Sequence, residues 1–326
     1  LENVPILAWG RGKECTFLGA LEAALSVTDH PHSYTDLMGF TGLAFRVRWF
    51  KPNERDRWCP SCAVGEMEEE ITAAARATGW ALPVELHIGD PHVEQSIPLI
   101  LESINAGKPV LAYSDNLDVG VVYGYTDDGK TLLFRDYHKG PAIHELPASS
   151  IGWLWIPLGE YGEPLDPREA VMESLRTAVR HWTRGEAHAG PGVYWYGRAA
   201  FDAWRKDIAD AGTFTDDDRG KLFFVSWWNS NTLVDARRAG VVYLRERTSL
   251  LDRPLRDAVS RAAALYEDEC RILGEAIDAK DAFLGPWSVK GAQDWSDAVR
   301  ACEVEVLTQC AQLEDRAASE LAAALG

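Results

Sequence analysis

Cys15 stands at the head of a stretch, CTFLGALEAALSV, in which Phe17, Leu18, Leu21, Ala24 and Leu25 recur at helical spacing. A thiol at a helix N-terminus is drawn toward the thiolate, which makes Cys15 a candidate nucleophile. A small thiol packed into a helix core accounts for the same residue equally simply. Glu14, next in the chain, opposes ionisation of that thiol, whereas Arg11 and Lys13 favour it. His138 follows Asp136 by two residues, so the two share a strand face if the strand continues, and His138 is a candidate general base. Arg46 and Arg48 alternate within LAFRVRW, beside Trp49. Two guanidinium groups on one strand face suit a carboxylate or phosphate ligand, and they suit internal ion pairs with the chain's many acids just as well.

Other constellations carry less. Cys59 and Cys62 form a CxxC pair inside KPNERDRWCPSC, where the charged, loop-like approach lacks the buried strand that a thioredoxin-type motif needs. A single CxxC is half of a four-ligand zinc site, and no second pair follows at finger spacing. Glu14, Asp118, Asp136 and His138 are the right types for an oxygen/nitrogen metal site, but spacing alone does not show that they converge, there is no HExxH-like pair, and no metal is expected. His87 and His92 are weaker candidates for a base. No phosphate-binding or dinucleotide fingerprint is present, and the sequence calls for no cofactor.

The elements that must position these residues change character near residue 160. Upstream, the patterns predict helices at the Cys15 stretch, over Glu66–Thr78 and near Leu99–Asn105. Strands are expected near Leu82–Ile88 and over Pro109–Tyr113, Val119–Tyr125, Thr131–Asp136 and Trp153–Pro157, with a turn at Asp127-Asp128-Gly129. LGEYGEPLDPRE reads as a linker. Downstream, helices are expected over Pro167–Gly185, Tyr194–Ala211, Asp216–Arg247, Leu255–Ala279 and Asp294–Ala324. The fold class is therefore α+β, with an N-terminal mixed domain over 1–158 and an all-helical domain over 159–326.

Lys and Arg number 33 against 50 Asp and Glu, a formal charge of −17 that repels nucleic acid and anionic lipid alike. A small-molecule ligand or substrate is the expected partner, and a homo-oligomer is compatible with the composition. No apolar run reaches membrane-spanning length and no secretory leader pattern opens the sequence, so the expected location is cytoplasmic.

Four blocks in order, GKECTFLGALEAAL, YTDLMGFTGLAFRVRW, GKPVLAYSDNLDVGVVYGYTDDGKTLLFRD and LVDARRAGVVYLRE, resemble the papain-like superfamily of cysteine peptidases and acyltransferases. The bacteriocin-processing peptidases and the butirosin-biosynthesis acyltransferases are the branches they are most similar to. The resemblance implies a papain-like N-terminal domain with Cys15 as nucleophile and Asp136 as the acid that orients the base. It also departs from the pattern. The base position falls at Asp118, not at a His, and the stretch from Ala8 to Glu14 lacks the Gln that helps form the oxyanion hole. Two expectations follow. One is Cys-dependent hydrolysis or transfer at an amide or thioester of a small metabolite, with His138 as the replacement base. The other is a catalytically degenerate relative that binds a small polar or cationic ligand through Asp118, Arg46, Arg48 and aromatic side chains.

Overall fold

The segment after Cys15 is apolar on almost every side, and the helix it forms, α1 (Thr16–Leu25), is buried along nearly its whole length. A helix without a polar face must be enclosed, and what it lies against is a sheet. The computed structural model describes residues 1–50, 67–86, 93–113, 118–140, 142–151, 154–189, 192–285 and 294–326. Cys59, Cys62, His87 and His92 lie outside the described residues.

The chain forms two compact units. The first comprises Leu1–Leu37 and Ile71–Asp166. Its strands are β2 (Glu85–Leu86), β3 (Val110–Tyr113), β4 (Val119–Thr126), β5 (Thr131–Arg135), β6 (His144–Pro147) and β7 (Leu154–Pro157). They pair antiparallel in the order β2-β7-β3-β4-β5-β6. The expected turn joins β4 to β5, where Asp127, Asp128 and Gly129 all take positive φ. Alternation then sorts the strand side chains between two faces. Val110, Ala112, Val122, Leu132, Phe134 and Trp155 pack with Ile100 and Ile104 of α4 (Val93–Asn105). Leu111, Val119 and Val121, also buried, have the opposite parity, and α1 packs against β3 and β4.

The expected linker, as far as Asp166, is part of this unit. Gly159 N–H donates to Ala81 O (2.8 Å), Ala81 N–H to Glu160 O (3.0 Å) and Gly162 N–H to Gly79 O (2.7 Å), with Leu165 N–H on Arg76 O (2.9 Å). Trp80 meets the ring of Tyr161 at 5.3 Å. A stretch with no hydrophobic periodicity is here ordered by backbone pairing, which a composition reading does not register.

The second unit comprises Met38–Glu70 and Pro167–Gly326. The break at Asp166 lies close to the expected boundary, but residues 38–70 belong with the later part of the chain. The chain crosses from one unit to the other within α2 (Tyr34–Phe40) and again within α3 (Met67–Thr78). Among the described residues, the second unit is built on α5 (Pro167–Thr183), α6 (Gly197–Asp210), α7 (Asp216–Arg247), α8 (Arg253–Ala279) and α9 (Asp297–Leu325). The three longest start at side-chain caps, Thr215, Asp252 and Ser296, each accepting a backbone N–H of the first turn.

This unit is not all-helical. β1 (Arg48–Phe50), β8 (Glu186–Ala189) and β9 (Gly192–Tyr196) form a three-stranded antiparallel sheet in the order β1-β9-β8. The helix expected from Tyr194 begins instead at Gly197. Tyr194, Trp195 and Tyr196 are aromatic residues that fit a pleated strand, and Gly197 turns the chain at φ 54°. A Cβ there would lie 2.2 Å from Trp182 O, so only glycine fits.

Ion pairs join the long helices. Arg237 on α7 donates Nε–H to Glu314 on α9 (2.6 Å), lies 3.4 Å from Glu269 on α8, and donates Nη1–H to Ala44 O (2.8 Å) and Arg46 O (3.3 Å). All three side chains are fully buried, one cation facing two carboxyls. Burial and the neighbouring Glu314 charge push Glu269 well above the usual carboxylate range, against the pull of Arg237. Burial raises Glu314 too, and the upward direction at both carboxyls favours sharing a proton in a cluster that holds a single cation.

Glu303 on α9 is a second buried acid. Its Oε1 accepts Phe283 N–H (2.8 Å) and Trp295 Nε1–H (2.9 Å), and Ser226 Oγ lies 3.5 Å from Oε2. Burial outweighs these bonds and pushes its carboxyl up to about 7 from an ordinary value near 4.5. The folded state therefore keeps a proton that the unfolded chain releases. This stabilisation is complete below the ordinary carboxylate pKa and is lost as pH rises through the folded value. Urea unfolding should show a loss of about 3 kcal/mol attributable to Glu303 between about pH 5 and about pH 9. Glu303→Gln, neutral at every pH, should remove that part of the slope. An unchanged slope in the variant would mean Glu303 is ionised in the fold.

Candidate active site

Cys15 is the N-cap of α1, in extended conformation (φ −84°, ψ 98°), with its carbonyl accepting Gly19 N–H at 2.9 Å. It is not in a disulfide and only 4% of its surface is exposed. Its own backbone N–H donates to the phenol oxygen of Tyr34 at 3.1 Å. Two contacts tie this helix start to the start of β4 and to the turn after β5. Val119 N–H, the first of β4, donates to Thr16 Oγ1 (3.3 Å), and Tyr137 Oη–H donates to Lys13 O (3.0 Å). Thr16, which follows Cys15, and Lys13, two residues before it, are thus bonded to the residue after Asp118 and to the residue before His138.

The His–Asp pairing differs from the expected one. His138 Nε2 lies 2.7 Å from Asp118 Oδ2, so the residue where the resemblance would put a base is the partner of the imidazole. Asp136 has other tasks. Its Oδ1 accepts the N–H groups of His138 (2.8 Å) and Lys139 (2.7 Å), and its Oδ2 lies 2.5 Å from His144 Nδ1. Asp136 therefore fixes the turn that carries His138 and does not touch its ring. The resemblance implies Asp136 as the partner of the imidazole; Asp118 is the partner of the His138 ring instead.

Burial raises the carboxyl of Asp118 above its ordinary value, outweighing the hydrogen bond and charge of His138, and the nearby Asp136 adds to the rise. The side chain of Asp118 is largely enclosed, whereas that of His138 is 41% exposed. Trp9 lies 4.8 Å from the ring of Tyr137 and 6.4 Å, edge to face, from that of His138. Glu14 accepts Gly10 N–H at 2.8 Å, bracing the loop that leads to Cys15.

The expected substrate-binding residues lie elsewhere. Arg46, Arg48 and Trp49 belong to the second unit and are all buried. Arg46 pairs with Glu70, the Arg48 guanidinium sits 4.4 Å over the ring of Tyr194, and Trp49 donates Nε1–H to Asp207 at 2.9 Å while stacking on Trp204 at 5.0 Å. These groups hold their own unit's core, because β1 is covered on both faces and not solvated on one. Among the described residues, no group of three or more His, Cys, Asp or Glu is arranged to hold a metal ion.

Tyr34, Tyr137 and His144 were not singled out by sequence. His144 sits in HELP, a short edge strand without the β-branched residues that mark a strand. Tyr34 and Tyr137 carried no spacing signal, since a buried phenol oxygen is placed by tertiary packing.

The contact between α1 and the His138 turn can be tested at Gly19. A Cβ there would lie 1.9 Å from Tyr137 Oη. Gly19→Ala should therefore displace Tyr137, break its bond to Lys13 and cost about 1–3 kcal/mol in urea unfolding. The double variant Gly19→Ala/Tyr137→Phe should recover part of that loss, and equal losses in both would place the strain elsewhere.

No protein-family model matches this chain, and no curated protein matches it. Its function is therefore argued from the residues themselves.

Proposed function

We propose that this protein carries out Cys-dependent acyl chemistry, hydrolysis or transfer, on an amide or thioester of a small metabolite. The observation that carries the reading is the 2.7 Å contact of His138 Nε2 with Asp118 Oδ2, in a turn bonded to the start of the Cys15 helix. Asp118 engages Nε2 and leaves Nδ1 of His138 to take the thiol proton, with the ring orientation fixed as a base–acid pair requires. The helix N-terminus favours the thiolate that results. Asp136 keeps His138 in place through the backbone of the turn.

One observation favours a second reading. Cys15 is only 4% exposed, which suits a protein that retains the thiol-enzyme fold and binds a small polar ligand without turning it over. The two readings diverge under an activated thioester. Mass spectrometry should find an acyl adduct on Cys15, absent from Cys15→Ser. His138→Gln should slow its formation by about 10²–10⁴-fold, as loss of a general base does. No adduct on Cys15, or an equal rate in His138→Gln, would leave only the binding reading.

A further inference from the structure

We propose that the second unit carries a binding site for a free α-amino acid with an apolar side chain, in a cleft between α5, α6 and α9 where Arg198 and Asp315 stand side by side. The cleft opens to solvent and has a volume of about 440 Å³, within the range of small-molecule sites. All its lining residues fall within Pro167–Gly326, so it belongs to this unit alone and stands whether or not Cys15 reacts. Trp182 of α5, Arg198 of α6 and Asp315 of α9 meet in its wall. Asp315 Oδ1 accepts the indole N–H of Trp182 at 3.0 Å and an Nη2–H of Arg198, whose guanidinium lies 5.7 Å over the Trp182 ring.

This pair is anchored by the fold. Trp182 is 7% exposed and belongs to the unit's core, so its N–H holds the carboxylate in place. The hydrogen bond from Trp182, then the bond and charge of Arg198, keep the Asp315 carboxyl below the usual carboxylate range, and it is ionised at neutral pH. Arg198 is the second residue of α6, directly after Gly197, whose tight approach to Trp182 O sets where that helix starts. Both charges still have unused hydrogen-bonding capacity. Arg198 commits one of its five N–H donors, and Asp315 Oδ2 accepts no hydrogen bond from the described residues. Their side chains are 60% and 40% exposed, so these groups are open to a ligand.

That unused capacity defines the ligand. Arg198 and Asp315 form a neutral pair, and Asp202, also on the cleft, is balanced by Arg205. A ligand with a net charge would bring in one charge with no counterpart. A zwitterion meets both groups, its carboxylate on the Arg198 fork and its ammonium on Asp315 Oδ2. Because Arg198 and Asp315 touch, the ligand's two charges must also be adjacent, as they are across the α-carbon of an amino acid. The hydroxyls of Thr183 and Ser319 donate to carbonyls of their own helices, Val179 O at 3.0 Å and Asp315 O at 2.7 Å, and leave recognition to the ion pair. Beyond it, Val179, Ala199, Ala318 and Ala322 give the cleft an apolar wall of small side chains, with room for a hydrocarbon group.

Titration calorimetry on the full chain, with leucine as the probe, tests the assignment. Wild-type protein should bind leucine. Arg198→Gln and Asp315→Asn, the latter still able to accept the Trp182 N–H, should each weaken binding by about 10–100-fold, as loss of one charge-assisted contact does. Removing one charge from the ligand should act in the same way on the wild-type protein, with N-acetylleucine lacking the ammonium and leucine methyl ester lacking the carboxylate. That arm needs no variant, so it decides the matter even if a variant does not fold. Cys15→Ser should bind leucine as the wild type does. No binding of leucine to the wild-type protein, or equal binding of either derivative, would overturn the inference. Binding lost in Cys15→Ser and kept in Arg198→Gln would place the amino acid at the candidate active site and overturn it too.

Discussion

The candidate site depends on one junction, the hydrogen bond from Val119 N–H to the Thr16 hydroxyl. It joins the first residue of β4 to the first residue of α1, so that the helix that carries Cys15 and the strand that starts beside Asp118 begin at one place. The apolar surface of α1 forces the helix onto the sheet, but burial is non-directional and would tolerate sliding. A directional bond at the helix start sets the register. Tyr137 adds a second such bond to Lys13, and Gly19 leaves the room for its phenol. Hydrophobic burial thus fixes which elements meet, and a few polar contacts fix which residues meet.

The second unit is built by a different balance. Its long helices meet around buried charges, with Arg237 between Glu269 and Glu314 and also bonded to the carbonyls of Ala44 and Arg46. Each of those carbonyls belongs to residues 38–70, the part of the chain that joins this unit ahead of its sequence neighbours. A buried guanidinium with five donors can satisfy several elements at once, as a lysine could not. Arg46 and Arg48, attractive as ligand-binding groups, serve the same kind of internal purpose against Glu70 and Tyr194.

Much of the secondary structure was legible in the sequence, because long periodic runs leave little freedom. The helix expected over Asp216–Arg247 is α7 to the residue, and the four central strand expectations match β3, β4, β5 and β7 within a residue or so. Short or aperiodic elements were not legible: β6, α2 and the paired stretch 159–165 carry no repeat to read. Residues 38–70 could not be assigned to the second unit, since their partners lie more than a hundred residues away. In the site, Cys15 and its helix followed from spacing, and Asp118, Asp136 and His138 were named. The acid expected beside the His138 ring is Asp136, and Asp118 faces it instead, because Asp118 and His138 are twenty residues apart and their contact is made by strand pairing and a turn. Tyr34 opens one of the blocks that carry the resemblance, but nothing in the sequence tied its phenol to Cys15.

The most direct test of the account is the pH dependence of Cys15 alkylation by iodoacetamide, localised by mass spectrometry and compared with that in Asp118→Asn. The account predicts an apparent thiol pKa well below the unperturbed value of about 8.5, moved back toward it in Asp118→Asn as the imidazole loses its partner. A Cys15 that labels only slowly, with a pKa at or above the ordinary thiol value in both proteins, would contradict it.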